Sequence, residues 1–282
     1  MQVWDLDATV RFGTVRLASG PSLRYAAQGE IAGEAVLLLH GWPDSWLSFS
    51  RMLPFVPPRF RVIVPDQRGF GESDRPVSGY DVSNMAADAV DLLDALSIER
   101  ATIVGHSFGS FVARRVALAR PDRVARLVLI GSAMSADTPT TRDVHAELMT
   151  LPDPVPPGFA RAFQASTIFH PIPGEFFEDL VAESLKLPAR LWKTVLEQLL
   201  AYDDRHELTR ISAPTLLIWG ERDALFPRQD QYALAAAIPG ARLTVYRDTG
   251  HCPNCERPHR VAADLVEFMG EARNFPLNRP GT

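Results

Sequence analysis

The stretch Gly105-His106-Ser107-Phe108-Gly109 constrains this chain more than any other. Before it lies a short apolar, partly β-branched run, Ala101-Thr102-Ile103-Val104. After it, Ser110 to Arg120 reads as a helix, with Phe111, Val112, Val116 and Ala117 at helical spacing. A strand that turns straight into a helix leaves no room for bulk at the flanking positions, so glycine stands at both. The serine between them is held in a strained backbone conformation that pushes its hydroxyl beyond the strand end. The helix N-terminus behind it offers free N–H groups to an anion. Together these features make a nucleophile elbow. Taken alone, the pentapeptide also fits a glycine-rich turn with a helix-capping serine.

The chain around it alternates. Thr14 to Leu17 and Leu23 to Gln28 read as two early strands separated by Ser19-Gly20-Pro21. Ala35-Val36-Leu37-Leu38-Leu39 and Arg61-Val62-Ile63-Val64 are short, nearly continuous apolar runs, the pattern of strands buried on both faces. A helix is expected from about Ser45 to Leu53, and an amphipathic one from Val82 to Leu96. Arg126 to Ile130, Pro214 to Gly220 and Arg242 to Tyr246 complete eight strands, and Arg228 to Ala237 and Glu256 to Gly270 are further helices. Strands alternating with helices predict a mostly parallel α/β sheet with right-handed crossovers. The rhythm breaks between Ser132 and Glu207, where no strand signal occurs. Helix-like stretches lie there near Phe159–Ser166, Gly174–Leu185 and Pro188–Ala201, after a proline-rich loop, Pro152–Gly158. The expected division is a core domain of residues 1–131 and 208–282, with a helical cap, 132–207, inserted after the sixth strand. The cap should roof Ser107, and the proline-rich loop is placed to gate access. Asn274 to Thr282 reads as a frayed tail.

Composition narrows the function classes. A net charge of -5 argues against nucleic acid or an anionic membrane as a partner. No apolar run reaches the roughly 20 residues that a membrane helix needs. Met1 to Asp7 lacks the basic and apolar regions of a signal peptide, so a cytoplasmic location is the default expectation. The two cysteines, Cys252 and Cys255, build no disulfide framework. They lie beside His251 and near His259, but within one short helix start, so neither a metal nor a cofactor is expected. A Cys-x-x-Cys pair at a helix N-terminus is open to lowered thiol pKa values, and hence to oxidation beside His251. Whether the pair forms a disulfide is left open.

Five motifs, in chain order, carry a resemblance. They are His40-Gly41-Trp42-Pro43, then Asp66-x-Arg68-Gly69-x-Gly71-x-Ser73, then Gly105-x-Ser107-x-Gly109, then Gly220-Glu221-Arg222-Asp223, then Gly250-His251 with Glu256 and Pro258 behind it. Over nearly its whole length the chain resembles an α/β-hydrolase fold protein with a helical cap. The resemblance implies Ser107 as nucleophile, with the order Ser107, Asp223, His251 matching that fold. The chemistry asks for such a set. A serine hydroxyl needs a base to take its proton, and imidazole titrates nearest neutrality. A carboxylate must then fix the imidazole tautomer and stabilise the imidazolium. Glu221 is a rival for the acid, and Asp137 stands where some relatives carry it one strand earlier. The oxyanion donors are expected to be the backbone amide of Phe108 and, by resemblance, that of Trp42. His40 resembles a structural histidine that braces the Trp42 loop. Asp66 and Arg68 should tie loops together.

The substrate pocket is expected to be lined by Trp42, Phe108, Phe163 and Trp192. The insertion also carries Phe159, Phe169, Phe176 and Phe177, of which two or three aromatics in all should face the guest. Capped relatives that open epoxides or remove halide use aspartate where this chain has Ser107, so an acyl adduct is expected instead. The expected partner is a small-molecule substrate, with a homodimer left open. The first reading is a hydrolase of small to medium apolar or aromatic carboxylic esters or lactones. Alternatives are hydrolysis of a C–C bond in a ring-cleavage product, cofactor-free perhydrolysis, and a slow-turnover small-ligand receptor.

Overall fold

A computed structural model describes residues 10–271; the expectations for Met1 to Asp7 and Asn274 to Thr282 lie outside these residues. Eight strands form one sheet among the described residues: β1 Arg11–Arg16, β2 Ser22–Gln28, β3 Glu34–Leu39, β4 Phe60–Pro65, β5 Ala101–His106, β6 Val124–Ile130, β7 Thr215–Gly220 and β8 Arg242–Tyr246. Their spatial order is β1-β2-β4-β3-β5-β6-β7-β8. β1 and β2 pair antiparallel, and β2 meets β4 antiparallel; from β4 onward every pairing is parallel. Each expected strand is present, with its ends moved by at most a few residues.

Alternation along the strands builds two cores. Leu37, Leu39, Ile103, Leu127 and Leu129 face one side of the sheet, where α1 Val82–Ala95 and α2 Phe108–Ala119 pack. Val36, Leu38, Val104, Val128 and Ile130 face the other, against α9 Pro258–Glu271. Full burial of such side chains contributes about 1.5–3 kcal/mol each. Asp81 starts α1 by accepting the N–H groups of Ser83 and Asn84.

Two helices differ from the pattern read in the sequence. The helix expected from Ser45 to Leu53 is instead a pair of short 3-10 turns, Trp46–Phe49 and Leu53–Phe55. Pro54, Pro57 and Pro58 disfavour helical backbone before them and stop an α-helix from propagating. The helix expected from Glu256 is split by Pro258 into α8 Pro253–Glu256 and α9.

Between β6 and β7 the chain forms four helices. They are α3 Pro139–Met149, α4 Pro157–Thr167, α5 Gly174–Leu185 and α6 Ala189–Ala201. α3 packs on α6 and α4 on α5. α3 was not legible because it buries only Thr141 and Leu148. Its signal is the capping box that Thr138 forms with Thr141, with Pro139 between them in the first turn. The proline-rich loop is tied down: Val155 is buried, and Asp153 Oδ1 accepts the N–H of Ala189 at the start of α6. One side chain holds both ends of the insertion. Arg114, fully buried on α2, donates to Ala133 O at the start and pairs with Asp204, 2.7 Å away, at the end. α7 Arg228–Ala237 then connects β7 to β8.

Candidate active site

Three loops at the carboxyl ends of parallel strands meet beneath the insertion, which is where ligands bind in open α/β sheets. Ser107 follows β5 with φ 50 and ψ -121, a left-handed backbone that non-glycine residues rarely adopt. Its N–H donates to Ile130 O, 2.9 Å away, which ties the turn to the end of β6. The flanking glycines answer to close approach. A Cβ on Gly105 would lie 2.2 Å from Gly109 O, and one on Gly109 would lie 2.1 Å from Leu39 O. Ser107 stays half-buried, facing the insertion.

Asp223 follows β7, and His251 follows β8. His251 Nδ1 and Asp223 Oδ2 are 2.8 Å apart, and both side chains are almost wholly buried. Asp223 Oδ1 accepts the N–H groups of Leu225 and Phe226, which fixes the carboxylate plane. With Nδ1 donating to Asp223, the imidazole leaves Nε2 as its acceptor. Nε2 is buried and has no hydrogen-bond partner among the described residues. It makes no bond to Ser107 Oγ here; such bonds are often long in free enzymes and tighten when substrate binds. The His251 ring packs edge-on against Phe226, and Phe226 and Ser107 line one cavity. The rival acids are engaged elsewhere: Glu221 pairs with Arg228 and Asp137 with Arg142, away from His251.

The backbone N–H groups of Phe108, the first residue of α2, and of Trp42 donate to no group among the described residues. The loop carrying Trp42 is braced by His40. Its Nδ1 donates to Gly41 O at 2.8 Å, and its Nε2 accepts the Gln67 N–H at 3.0 Å. Burial pushes His40 down to about 4, so this histidine stays neutral. Asp66 accepts N–H groups from Trp46 and Glu72 and so joins two loops, whereas Arg68 pairs with Asp88 and ties its loop to α1. Beside the Trp42 loop lies Asp44, buried, its Oδ1 accepting from Gln164 Nε2 of α4 at 2.8 Å. Burial raises Asp44 to about 6.

The cavity over Ser107 is lined by Trp42, Thr141, Val144, Phe163, Leu196, Leu199, Leu225 and Phe226. Of the four residues expected to line it, Trp42 and Phe163 do so. Phe108 and Trp192 do not, and this corrects the sequence reading. Phe108 turns into the core against Phe70, because its place at the start of α2 points the ring inward. Trp192 stands behind Trp42 and Phe163 as a buttress, with Nε1 donating to Ser184 O. Of the aromatics in the insertion, Phe163 alone lines the cavity, and Phe169 is half exposed. Leu196 and Leu199 were missed although they share a face of α6; Thr141 and Val144 went unseen with α3. The cavity is small, about 30 Å³.

Cys252 and Cys255 are free and buried, packed with Leu180 of α5. Contact with Cys255 and burial push the Cys252 thiol well above its ordinary value. For Cys252 this runs against the expectation of a lowered pKa: the neighbouring Cys255 thiol and burial both favour the protonated form. Among the described residues, no three His, Cys, Asp or Glu side chains are grouped to hold a metal ion, and no helix is long and apolar enough to cross a membrane.

The chain is similar to known proteins over most of its length. The chain is 32% identical over 264 residues to a 2-hydroxymuconate semialdehyde hydrolase of Pseudomonas sp. (strain CF600), covering 86% of this chain and 88% of that one. It is 30% identical over 285 residues to a non-heme chloroperoxidase of Streptomyces lividans, covering 91% and 99%. A thermophilic esterase from Thermogutta terrifontis superposes with a TM-score of 0.80 at 26% identity, covering 93% of this chain and 98% of that chain. The family model for the alpha/beta hydrolase fold matches residues 34–258. With its eight-stranded, mostly parallel sheet, the chain belongs to the alpha/beta hydrolase fold family.

Proposed function

We propose that this chain is a serine carboxylesterase that hydrolyses small to medium, uncharged, apolar or aromatic esters, lactones included, through an acyl-enzyme on Ser107. The observation that carries this reading is the buried His251–Asp223 pair, 2.8 Å apart, whose free Nε2 belongs to a ring packed on the wall of the cavity that holds Ser107.

In this reading Ser107 Oγ attacks the ester carbonyl carbon as His251 Nε2 takes its proton. Asp223 keeps Nδ1 protonated and stabilises the imidazolium. The carbonyl oxygen gains the negative charge and meets the N–H groups of Phe108 and Trp42, each worth about 2.7–4 kcal/mol in such sites. His251 then gives its proton to the departing alkoxide, and the alcohol leaves. A water attacks the acyl carbon as His251 takes one of its protons, and collapse frees the acid and restores the serine hydroxyl. The net reaction is ester plus water to acid plus alcohol. The insertion acts as a cap that parts to admit the ester and closes to exclude water during acylation.

The lining favours a neutral guest. Its polar side chains are Ser107, Thr141 and the Trp42 indole, with no lysine or arginine. A carboxylate-bearing substrate, which the name 2-hydroxymuconate semialdehyde hydrolase implies for that relative, would find no cation there to pair with. This supports an ester over a charged ring-cleavage product.

A panel of p-nitrophenyl esters of increasing acyl length, with Ser107→Ala as control, tests the reading. The expected result is a burst of p-nitrophenol, turnover lost in Ser107→Ala, and covalent labelling of Ser107 by a fluorophosphonate. No burst on any ester together with an unlabelled Ser107 overturns it. Stoichiometric ligand binding with negligible turnover would assign the fold to a receptor instead.

A further inference from the structure

Glu256 belongs to a sequence motif that the proposed chemistry leaves unused. Its side chain is buried on α8, with 5% of the residue exposed, and forms no ion pair among the described residues. Both carboxylate oxygens accept the Gly250 N–H at 2.9 Å, and Oε2 also accepts the N–H groups of Phe169 and His170. Gly250 precedes His251, whereas Phe169 and His170 lie in the link between α4 and α5 of the insertion. A second tie runs beside the first: His251 N–H donates to Thr167 O at 2.9 Å. The two backbones touch. A Cβ on Gly250 would lie 2.7 Å from Phe169 N and 2.8 Å from Thr167 O.

α8 is itself anchored to the core. Asn254 Nδ2 donates to Ser48 O at 2.9 Å, and Arg51 donates to Cys255 O. On the far flank, His106 Nε2 lies 3.0 Å from His251 O. The main chain of His251 is therefore held at both its N–H and its C=O, and the carboxylate of Glu256 closes the seam. A buried carboxylate costs desolvation, and burial raises Glu256 above its ordinary value; backbone donors offset that cost only while the seam is shut.

We propose that Glu256 is a positioning residue: it locks the His251 loop to the insertion and so holds the imidazole where it can serve both the attacking serine and the leaving group. This rests on the esterase reading above. Asp223 sets the rotation of the ring through Nδ1 but does not fix how far the ring reaches toward the substrate. The base must take a proton at one oxygen and deliver it at another, so its reach matters for both transfers. The ester oxygen of an alkyl ester leaves as a strongly basic alkoxide and needs that proton. A p-nitrophenolate is weakly basic and leaves without it. Displacing the imidazole therefore harms alkyl esters more.

The test compares kcat/KM for the ethyl and p-nitrophenyl esters of one acid, per active site titrated with a fluorophosphonate, in two variants. Glu256→Gln removes the charge and leaves one acceptor oxygen where there were two. Gly250→Ala wedges the seam apart and leaves the charge in place. Both are expected to lower kcat/KM about tenfold on the p-nitrophenyl ester and about a hundredfold on the ethyl ester. A role confined to stability would reduce thermal stability or the titrated fraction and leave the ratio between the two esters unchanged. An unchanged ratio in either variant, with an active parent protein, overturns the proposal. A parent protein that shows no Ser107-dependent turnover refutes the esterase reading itself, a distinguishable outcome.

Discussion

Replacing Asp44 by asparagine is expected to remove a pH-dependent weakness from the fold. Asp44 is 6% exposed, in the loop after Pro43, and its one side-chain partner is Gln164 Nε2 at 2.8 Å. Burial lifts it from an ordinary value near 3.8 to about 6, so the folded state holds a proton that the unfolded chain has released. Where the folded state binds more protons, stability falls as pH rises. The loss begins near the unfolded value, about pH 4, and is complete above about pH 6. A shift of about 2 units at 1.36 kcal/mol each is on the order of 3 kcal/mol. Asparagine has no charge to desolvate and keeps an oxygen for Gln164. Asp66 is also raised to about 6 by burial, but it is common to both proteins and cancels in their difference. Urea unfolding between about pH 4 and pH 8, read as variant minus parent, isolates the effect of Asp44. The difference should grow in favour of Asp44→Asn across the window by up to about 3 kcal/mol, with equal m-values. Parallel pH profiles for the two proteins would refute the argument that this carboxylate is buried at a cost.

Three further substitutions probe the site and its frame. Asp223→Asn should lower kcat on a p-nitrophenyl ester by about 10⁴-fold, since the imidazole loses its tautomer control; a loss under tenfold would remove Asp223 from the role of acid. Asp204→Ala should destabilise the fold by about 3–5 kcal/mol in urea unfolding, because it leaves Arg114 charged and buried. A cost as small as that of a surface ion pair would mean that Ala133 O and the Phe111 ring suffice to hold the guanidinium. Leu199→Ala on α6 should shift the preferred acyl chain toward longer esters and cost about 2–5 kcal/mol of stability; an unchanged chain-length profile would show that this wall does not meet the acyl group.

The α/β alternation and the residues around Ser107 were legible because each follows from local chemistry. Buried parallel strands read as apolar runs, and the elbow's glycines are dictated by contacts of 2.1 and 2.2 Å that no side chain survives. The pairing of His251 with Asp223 was legible only through chain order, since 28 residues separate them and the carboxylate is chosen by where β7 ends. The cavity wall was not legible. Whether Phe108 or Phe226 faces the guest depends on the direction in which each ring leaves its backbone. Trp192 is apolar, aromatic and in the right helix, yet it stands one layer too deep. α3 escaped because Asp143, His145 and Glu147 give it little apolar periodicity, and its burial comes from packing on α6 rather than from its own pattern.

The order of the sheet has a consequence for how the protein comes into being. From β5 onward each new strand is added at the growing edge: β6 beside β5, then β7, then β8. Synthesis proceeds from the N-terminus, so Ser107 emerges first, Asp223 much later and His251 last. A nascent chain that has paired only through β7 carries Ser107 and Asp223 but not yet His251. On the proposed reading, ester hydrolysis is withheld until the final edge strand docks and brings His251 to the site.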